Sequence, residues 1–283
     1  MNLLLSMRPK QWIKNMLVFA VPLAAGKVAD GEVMAAAAMA FGVLTFAAAA
    51  VYLVNDVRDA EMDRLHPTKS RRPVAAGKVA PRLAIALAVI CFFVSIAIPL
   101  MAQEEGLLAI VVSYFALQIG YQLGLRDVGL VDMFIVASGF VLRTLAGGIA
   151  SNVPVSNGFL LVTGSSALFV VSSKRFSEIV ANENPDATRP ILRTYSPSYL
   201  RTIWSASMIT AILFYFLWAF ELGASRNDLF VEMSTVPFSL IMLRYAFHAD
   251  RGVAEAPETI VLTDRVLQLM AVVWVGLFLL QVA

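Results

Sequence analysis

A chain of 283 residues that is 59% hydrophobic and only 15% charged reads as a polytopic membrane protein and excludes an ordinary soluble domain. Its single cysteine, Cys91, excludes an internal disulfide framework. The 22 Lys and Arg against 20 Asp and Glu give a formal net charge of +2, and no nucleic-acid partner is expected.

No cleavable signal pattern opens the chain, because Met7-Arg8-Pro9-Lys10-Gln11-Trp12 is interfacial in character. Nine candidate transmembrane helices follow, over about 13–28, 33–54, 82–101, 106–124, 129–150, 156–173, 199–220, 229–247 and 263–282. These lengths fit the roughly 17–25 residues needed to cross a hydrocarbon core. The first candidate is interrupted by Pro22 and Gly26 and carries Lys14 near its start. The expectation is an all-α polytopic membrane protein, one integral-membrane domain over 1–283.

The connections alternate in chemistry. The N-terminus (Arg8, Lys10, Lys14), 55–82, the Arg126 turn, 174–201 and 244–265 are basic, whereas the intervening turns are short and acidic. Of the 22 Lys and Arg, only Lys27 and Arg226 fall in the acidic set. The positive-inside rule therefore places the N-terminus and the long loops in the cytoplasm and the C-terminus outside. Spans 1–4 and 5–8 read as two hydropathy-level copies of a four-helix unit, each with a long loop after its second helix.

The first long loop holds the densest chemistry. Asp56, Asp59 and Asp63 are spaced i, i+3, i+7 after an apolar run, with Asn55 beside them. If the helix continues at roughly 100° per residue, the three carboxylates share one face within about 60°. Hard oxygen ligands converging at a membrane surface suit Mg²⁺, which completes its shell with water and phosphate oxygens. Arg64, Lys69, Arg71 and Arg72 follow and could hold the rest of a polyphosphate; a solvated positive-inside loop explains these bases but not three co-facial acids. His66, beside Pro67, makes no zinc-type site.

Arg143 lies near the middle of the fifth span, where a charge is costly and should face the bundle interior. It reads either as a phosphate ligand or as the partner of Asp132, about three turns earlier. The second long loop opens with Lys174-Arg175-Phe176-Ser177-Glu178. Lys174 and Glu178 can pair at i, i+4, or Lys174 and Arg175 can add positive charge to a polyphosphate. Arg193 and Tyr195 are further candidates, and Arg244 and Tyr245 are placed to touch a phosphate. Asp264 and Arg265 cap the last span in the simpler reading, and His248 is interfacial. No Ser-His-Asp set, CxxC pair or P-loop occurs. Thr163-Gly164-Ser165-Ser166 reads as helix packing, and Ala35–Ala38 and Ala47–Ala50 permit close packing within the chain or in a homo-oligomer.

Nine spans with Asn55-Asp56-x-x-Asp59-x-x-x-Asp63 after the second resemble the UbiA superfamily of intramembrane prenyltransferases. Within it the chain is similar to the decaprenyl-phosphate phosphoribosyltransferase branch. The likeness lies in Arg8-Pro9-Lys10-Gln11-Trp12-Ile13-Lys14-Asn15, in His66-Pro67-Thr68-Lys69 running into Arg72-Pro73-Val74-Ala75-x-Gly77, and in Gly139-Phe140-x-Leu142-Arg143. Lys174-Arg175-x-x-Glu178 and Pro257-Glu258 with Asp264-Arg265 complete it.

The resemblance implies a UbiA-type bundle in the cell (inner) membrane, with cytoplasmic active-site loops. It implies transfer of 5-phosphoribosyl from phosphoribosyl diphosphate to a polyprenyl (decaprenyl) phosphate, releasing pyrophosphate and feeding cell-wall arabinan synthesis. Asp56 and Asp59, with Asp63 and Asn55, would hold Mg²⁺ on the donor's pyrophosphate. Arg143 and Lys10 or Lys14 would steer the acceptor phosphate, and an apolar groove would take the prenyl chain. The aromatic prenyltransferases of the superfamily carry a second aspartate-rich motif where this chain has Lys174-Arg175-Phe176-Ser177-Glu178. That departure counts against an aromatic prenyltransferase and suits a donor with an extra phosphate. A transporter would gather its polar features near the midplane rather than at one face.

Overall fold

The computed structural model describes residues 2–65, 69–181, 190–226 and 228–280, so His66, Pro67 and Thr68 lie outside the described residues. The described residues form helices and no strand. A short α1 (Asn2–Ser6) leads into a 3₁₀ helix over Pro9–Phe19 and then α2 (Ala20–Ala24). The long helix α3 (Gly31–Arg58) is parted from α4 (Ala60–Leu65) at Asp59 alone. There follow α5 (Pro81–Met101), α6 (Glu105–Gln122), α7 (Val131–Ala150), α8 (Asn157–Val180) and α9 (Pro197–Arg226). The chain continues through α10 (Leu229–Met233), α11 (Thr235–Asp250), α12 (Pro257–Thr263) and α13 (Arg265–Leu280).

Among the described residues, five stretches are long and apolar enough to cross a membrane: Gly31–Arg58, Pro81–Met101, Val131–Ala150, Pro197–Arg226 and Leu229–Asp250. A sixth is added if α12 and α13, bent by 83° where they meet, count together. Helices do stand at 106–124 and 156–173, as α6 and α8, but their Ser, Thr, Gln and terminal charged residues hold down their hydropathy. The expected first span is the largest departure. It is a 3₁₀ helix followed by one short α-helix rather than a single apolar rod.

The burial pattern follows from small side chains. Ala47, Ala48, Ala49 and Ala50 are all buried in α3, which packs extensively on α5. These alanines serve packing within the chain, since backbones approach closely where side chains are thin. The equivalent extensive contact in the second half is α8 on α9, with Phe169, Phe176 and Trp204 in its core. The 3₁₀ helix is wedged between α3 and α7. Gly147 permits that approach, because a Cβ there would meet the Val18 carbonyl oxygen at 1.9 Å.

Candidate active site

The polar contacts concentrate where α3, α6, α8 and α11 end and α7 and α9 begin. Asp56 is buried near the end of α3, and Asp63 is buried in α4. Although the helix is interrupted at Asp59, the Asp59 amide still donates to the Asn55 carbonyl at 2.9 Å and that of Asp63 to Asp59 at 2.8 Å. The two outer carboxylates therefore stay in register. Arg72 joins them, donating to Asp63 at 2.6 Å and to Asp56 at 3.4 Å. Arg8 donates to the same Asp56 oxygen and stacks 4.9 Å from the Tyr52 ring centre. The other oxygen of Asp56 is buried and without a partner, and Asp59 forms no side-chain bond among the described residues. Asn55 accepts from Gln122 at 2.8 Å, and Gln122 in turn accepts from Arg58 at 2.6 Å.

The 3₁₀ helix reaches this cluster through its winding. With three residues per turn, positions i and i+3 eclipse. Gln11 and Lys14 consequently form one column (with Arg8 just before it as a left-handed N-cap, φ 54°), Trp12, Asn15 and Val18 a second, and Lys10, Ile13 and Met16 a third. Arg8 and the first column together reach from Asp56 to Glu258: Gln11 donates to Glu258 at 2.5 Å, and Lys14 lies 3.7 Å from that carboxylate. The second column is the buried anchor, with Asn15 donating to Thr45 at 2.9 Å. Lys10 falls on the third column and is exposed. Of the two lysines expected to steer an acceptor, Lys14 is the one turned toward the interior.

Arg143 is buried, as its intramembrane position requires. It donates to Asn15 at 2.7 Å and to the Gly139 carbonyl at 2.6 Å, and its guanidinium lies 5.5 Å from the Tyr114 ring centre. Asp132 is not its partner. Arg175 instead donates to Asp132 at 2.9 Å and to Glu178 at 2.9 Å, and Tyr195 donates to Asp132 at 2.6 Å. Burial and the bond to Asp132 hold the Tyr195 phenol well above its ordinary range. Arg175 thus faces inward, whereas Lys174 is half-buried with its ammonium 3.8 Å from Glu178, the i, i+4 pair read from the sequence.

The other expected residues are scattered around this center. Arg64 donates to the Ala75 carbonyl at 3.2 Å, Lys69 lies half-buried in a short 3₁₀ turn, and Arg71 is exposed. Arg244 donates to Asp264 at 2.8 Å, and His248 lies 2.5 Å from the same oxygen. Asp264 also caps α13 through its second oxygen, which accepts from Val266 and Leu267. Tyr245 is buried, and its hydroxyl has no hydrogen-bond partner among the described residues.

That hydroxyl belongs to a largely apolar cavity of about 400 Å³ between the 3₁₀ helix, α8, α11 and α12. Leu17, Phe140, Phe159 and Trp274 are among its walls, and Lys14, Tyr245 and Glu258 supply its polar part. A second apolar groove, of about 550 Å³, opens between α3, α5 and α6 beneath Asn55, Arg58 and Gln122.

The donor set at Asp56 fits a hard divalent cation. Among the described residues no three His, Cys, Asp or Glu side chains come together as a complete cage. The second Asp56 oxygen, buried and without a hydrogen-bond partner among the described residues, and the Asp59 carboxylate are nevertheless hard oxygen ligands. Mg²⁺ needs one or two carboxylates, with water and substrate oxygens for the rest.

Arg8, Gln11, Asn15, Gln122 and Glu258 carry site contacts that the sequence did not assign to ligand binding. The signal for Gln11 was its i, i+3 spacing with Lys14, which a 3₁₀ winding eclipses, while Arg8 sits at the N-cap outside that winding. Glu258 and Asn15 approach their partners over 247 and 128 residues of chain, and no local pattern encodes such pairings.

Comparison with known proteins places the chain. The UbiA prenyltransferase family model matches residues 16–259. The decaprenyl-phosphate phosphoribosyltransferase of Mycobacterium tuberculosis is 44% identical over 276 residues, covering 96% of this chain and 91% of that protein. The enzyme of the same name from Corynebacterium glutamicum is 42% identical over 276 residues, covering 95% and 83%. A UbiA homologue from Archaeoglobus fulgidus, solved bound to GPP and Mg²⁺, superposes with a TM-score of 0.75 at 14% identity, covering 100% of this chain and 99% of that one. The chain belongs to the UbiA prenyltransferase family.

Proposed function

We propose that this protein transfers the 5-phosphoribosyl group of phosphoribosyl diphosphate to a polyprenyl phosphate, decaprenyl phosphate in the first instance. The observation that carries the reading is its 42–44% identity, over nearly all of its length, to enzymes named decaprenyl-phosphate phosphoribosyltransferase. The product would be a polyprenylphosphoryl-5-phosphoribose, a precursor suited to the arabinan of a cell-wall arabinogalactan. The C1–O bond to pyrophosphate breaks and a lipid phosphate oxygen bonds to C1.

Asp56, Asp59 and Asp63, with Asn55, would hold Mg²⁺ at the diphosphate end of the donor. The metal, when bound, supplies charge neutralisation to the departing pyrophosphate. Arg72 and Arg8, both on Asp56, hold that carboxylate in place. Arg64, Lys69, Arg71 and Lys174 supply counter-charge to the donor phosphates, while Arg175 sets the position of Lys174 by fixing Glu178. Arg244 and Tyr245 flank the acceptor side, where Lys14 and Arg143 attract the lipid phosphate. That nucleophile is already anionic near neutral pH, so the site needs no strong general base.

The chain is read as one domain over 1–283, crossing the cell (inner) membrane nine times. The N-terminus and site loops are cytoplasmic and the C-terminus is outside, as the basic loops imply. The test is a micelle assay with labelled phosphoribosyl diphosphate, decaprenyl phosphate and Mg²⁺, following label into the lipid phase. Chelator-sensitive transfer is expected. Absence of transfer, with turnover of a prenyl diphosphate and an aromatic acceptor instead, would overturn the substrate assignment.

A further inference from the structure

Glu258 stands on the rim of the 400 Å³ cavity, directly after Pro257 at the start of α12. One of its oxygens accepts from Gln11 at 2.5 Å. The other is buried without a hydrogen-bond partner, 3.7 Å from the Lys14 ammonium. Lys174 is also within electrostatic range of this carboxylate, and Arg8 and Arg143 of Lys14. A carboxylate therefore sits where the surrounding positive charge converges, with one oxygen incompletely held.

The cavity behind it has two more idle polar atoms. The hydroxyls of Tyr245 and Ser166 are buried and unpartnered, and the remaining walls are mostly aliphatic and aromatic. Buried hydroxyls without partners are costly, so their retention points to a ligand that satisfies them. An apolar chamber with a cationic rim and spare donors matches an anionic amphiphile: a phosphate head at Lys14 and Gln11, and a hydrocarbon tail along Leu17, Phe159 and Trp274.

The local backbone gives Glu258 a means of leaving. The far end of α12 is fixed at Asp264, which caps α13 and is held by Arg244 and His248. The 83° bend at that residue separates α12 from the long helix that follows. Among the described residues, the polar contacts between α12 and the 3₁₀ helix are those of Glu258.

We propose that Glu258 is an internal stand-in for the acceptor's phosphate, occupying the anion site of Lys14 and Gln11 while the cavity is empty and giving way when polyprenyl phosphate enters. The identity of the acceptor rests on the phosphoribosyl-transfer reading. The stand-in spares Lys14 from being a partly buried charge without a counter-ion. It also lowers apparent acceptor affinity, since only the fraction of molecules with Lys14 released can bind.

The test is direct binding of labelled decaprenyl phosphate to the full-length protein in detergent micelles without donor, alongside steady-state transfer. Glu258→Gln removes the competing charge. It should bind decaprenyl phosphate about fivefold more tightly and lower the acceptor KM by a similar factor, with the KM for phosphoribosyl diphosphate unchanged. The gain should disappear when Glu258→Gln is combined with Lys14→Ala. Weaker or unchanged acceptor binding in Glu258→Gln would overturn the proposal and leave Glu258 as a structural latch. If that variant fails to fold, Glu258→Asp withdraws the carboxylate by one methylene and should show the same direction of change, with no gain again counting against the proposal. Wild-type protein that neither binds nor uses decaprenyl phosphate would overturn the functional reading itself, whereas wild-type transfer without a gain in either variant overturns the stand-in alone.

Discussion

Arg143 donates through Nε to the side-chain oxygen of Asn15 at 2.7 Å, so the charge buried in α7 is held by a neutral amide. Asn15 also ties the 3₁₀ helix to α3 through Thr45. A neutral partner leaves the guanidinium's charge uncancelled and available to an anion, which a carboxylate partner would not. Asn15→Ala is expected to destabilise the protein by about 1–3 kcal/mol, because it leaves the Arg143 Nε–H without its acceptor and the Thr45 hydroxyl without its donor. Thermal unfolding in micelles measures this. Arg143→Ala should chiefly raise the acceptor KM, and a change confined to stability would mark Arg143 as structural.

The acids of the first loop should separate by experiment. Asp56 accepts from two arginines, whereas Asp59 forms no side-chain bond among the described residues. Asp59→Asn is expected to lower kcat by about 10²–10³-fold while leaving the unfolding midpoint in place, since it removes a charge felt mainly by the reacting groups. Asp56→Asn should lose both activity and stability, because Arg8 and Arg72 lose their shared counter-ion. Near-wild-type turnover of both variants at saturating Mg²⁺ would remove these carboxylates from the metal site.

Much of this was legible in the sequence, and the limits have physical causes. Hydropathy located the apolar helices because lipid solvation imposes length and composition on each of them. The i, i+7 spacing of Asp56 and Asp63 survived the interruption at Asp59 because the i to i−4 backbone bonds continue across it. The segment 13–28 misled because an apolar α-helical span begins after Gln11, whereas the structure winds Pro9–Phe19 as a 3₁₀ helix that eclipses Gln11 and Lys14. Arg175 read as one of two loop bases, yet it turns inward to Asp132, 43 residues earlier, and a pairing of that kind leaves no mark on local charge pattern.

The two bases at the end of α8 should consequently behave differently. Arg175 is buried between Asp132 and Glu178, so Arg175→Ala leaves a buried carboxylate without its counter-ion. Breaking such a pair costs about 3–5 kcal/mol, and the variant should express poorly or melt early. Lys174→Ala breaks a partly exposed contact with Glu178 and should remain folded. Its expected effect is a higher KM for phosphoribosyl diphosphate with little change for the acceptor, measured by varying each substrate in turn. Equal kinetic damage without loss of stability in both variants would restore Arg175 to direct donor binding.

Gly147 gives the last prediction. Its missing side chain lets the Val18 backbone lie on α7, and a Cβ would meet that carbonyl oxygen at 1.9 Å and its carbon at 2.7 Å. A backbone atom cannot rotate away as a flexible side chain can, so Gly147→Ala must displace the 3₁₀ helix, α7 or both. Displacing the 3₁₀ helix moves Gln11 and Lys14, which share one of its columns, and Arg8 at its N-cap. The variant is therefore expected to damage the carboxylate cluster and the acceptor rim at once, lowering kcat and raising the acceptor KM. Gly31→Ala, at a position with open space for a Cβ, serves as the control and should leave both unchanged. Normal kinetics in Gly147→Ala would mean that the 3₁₀ column does not set the geometry of either site.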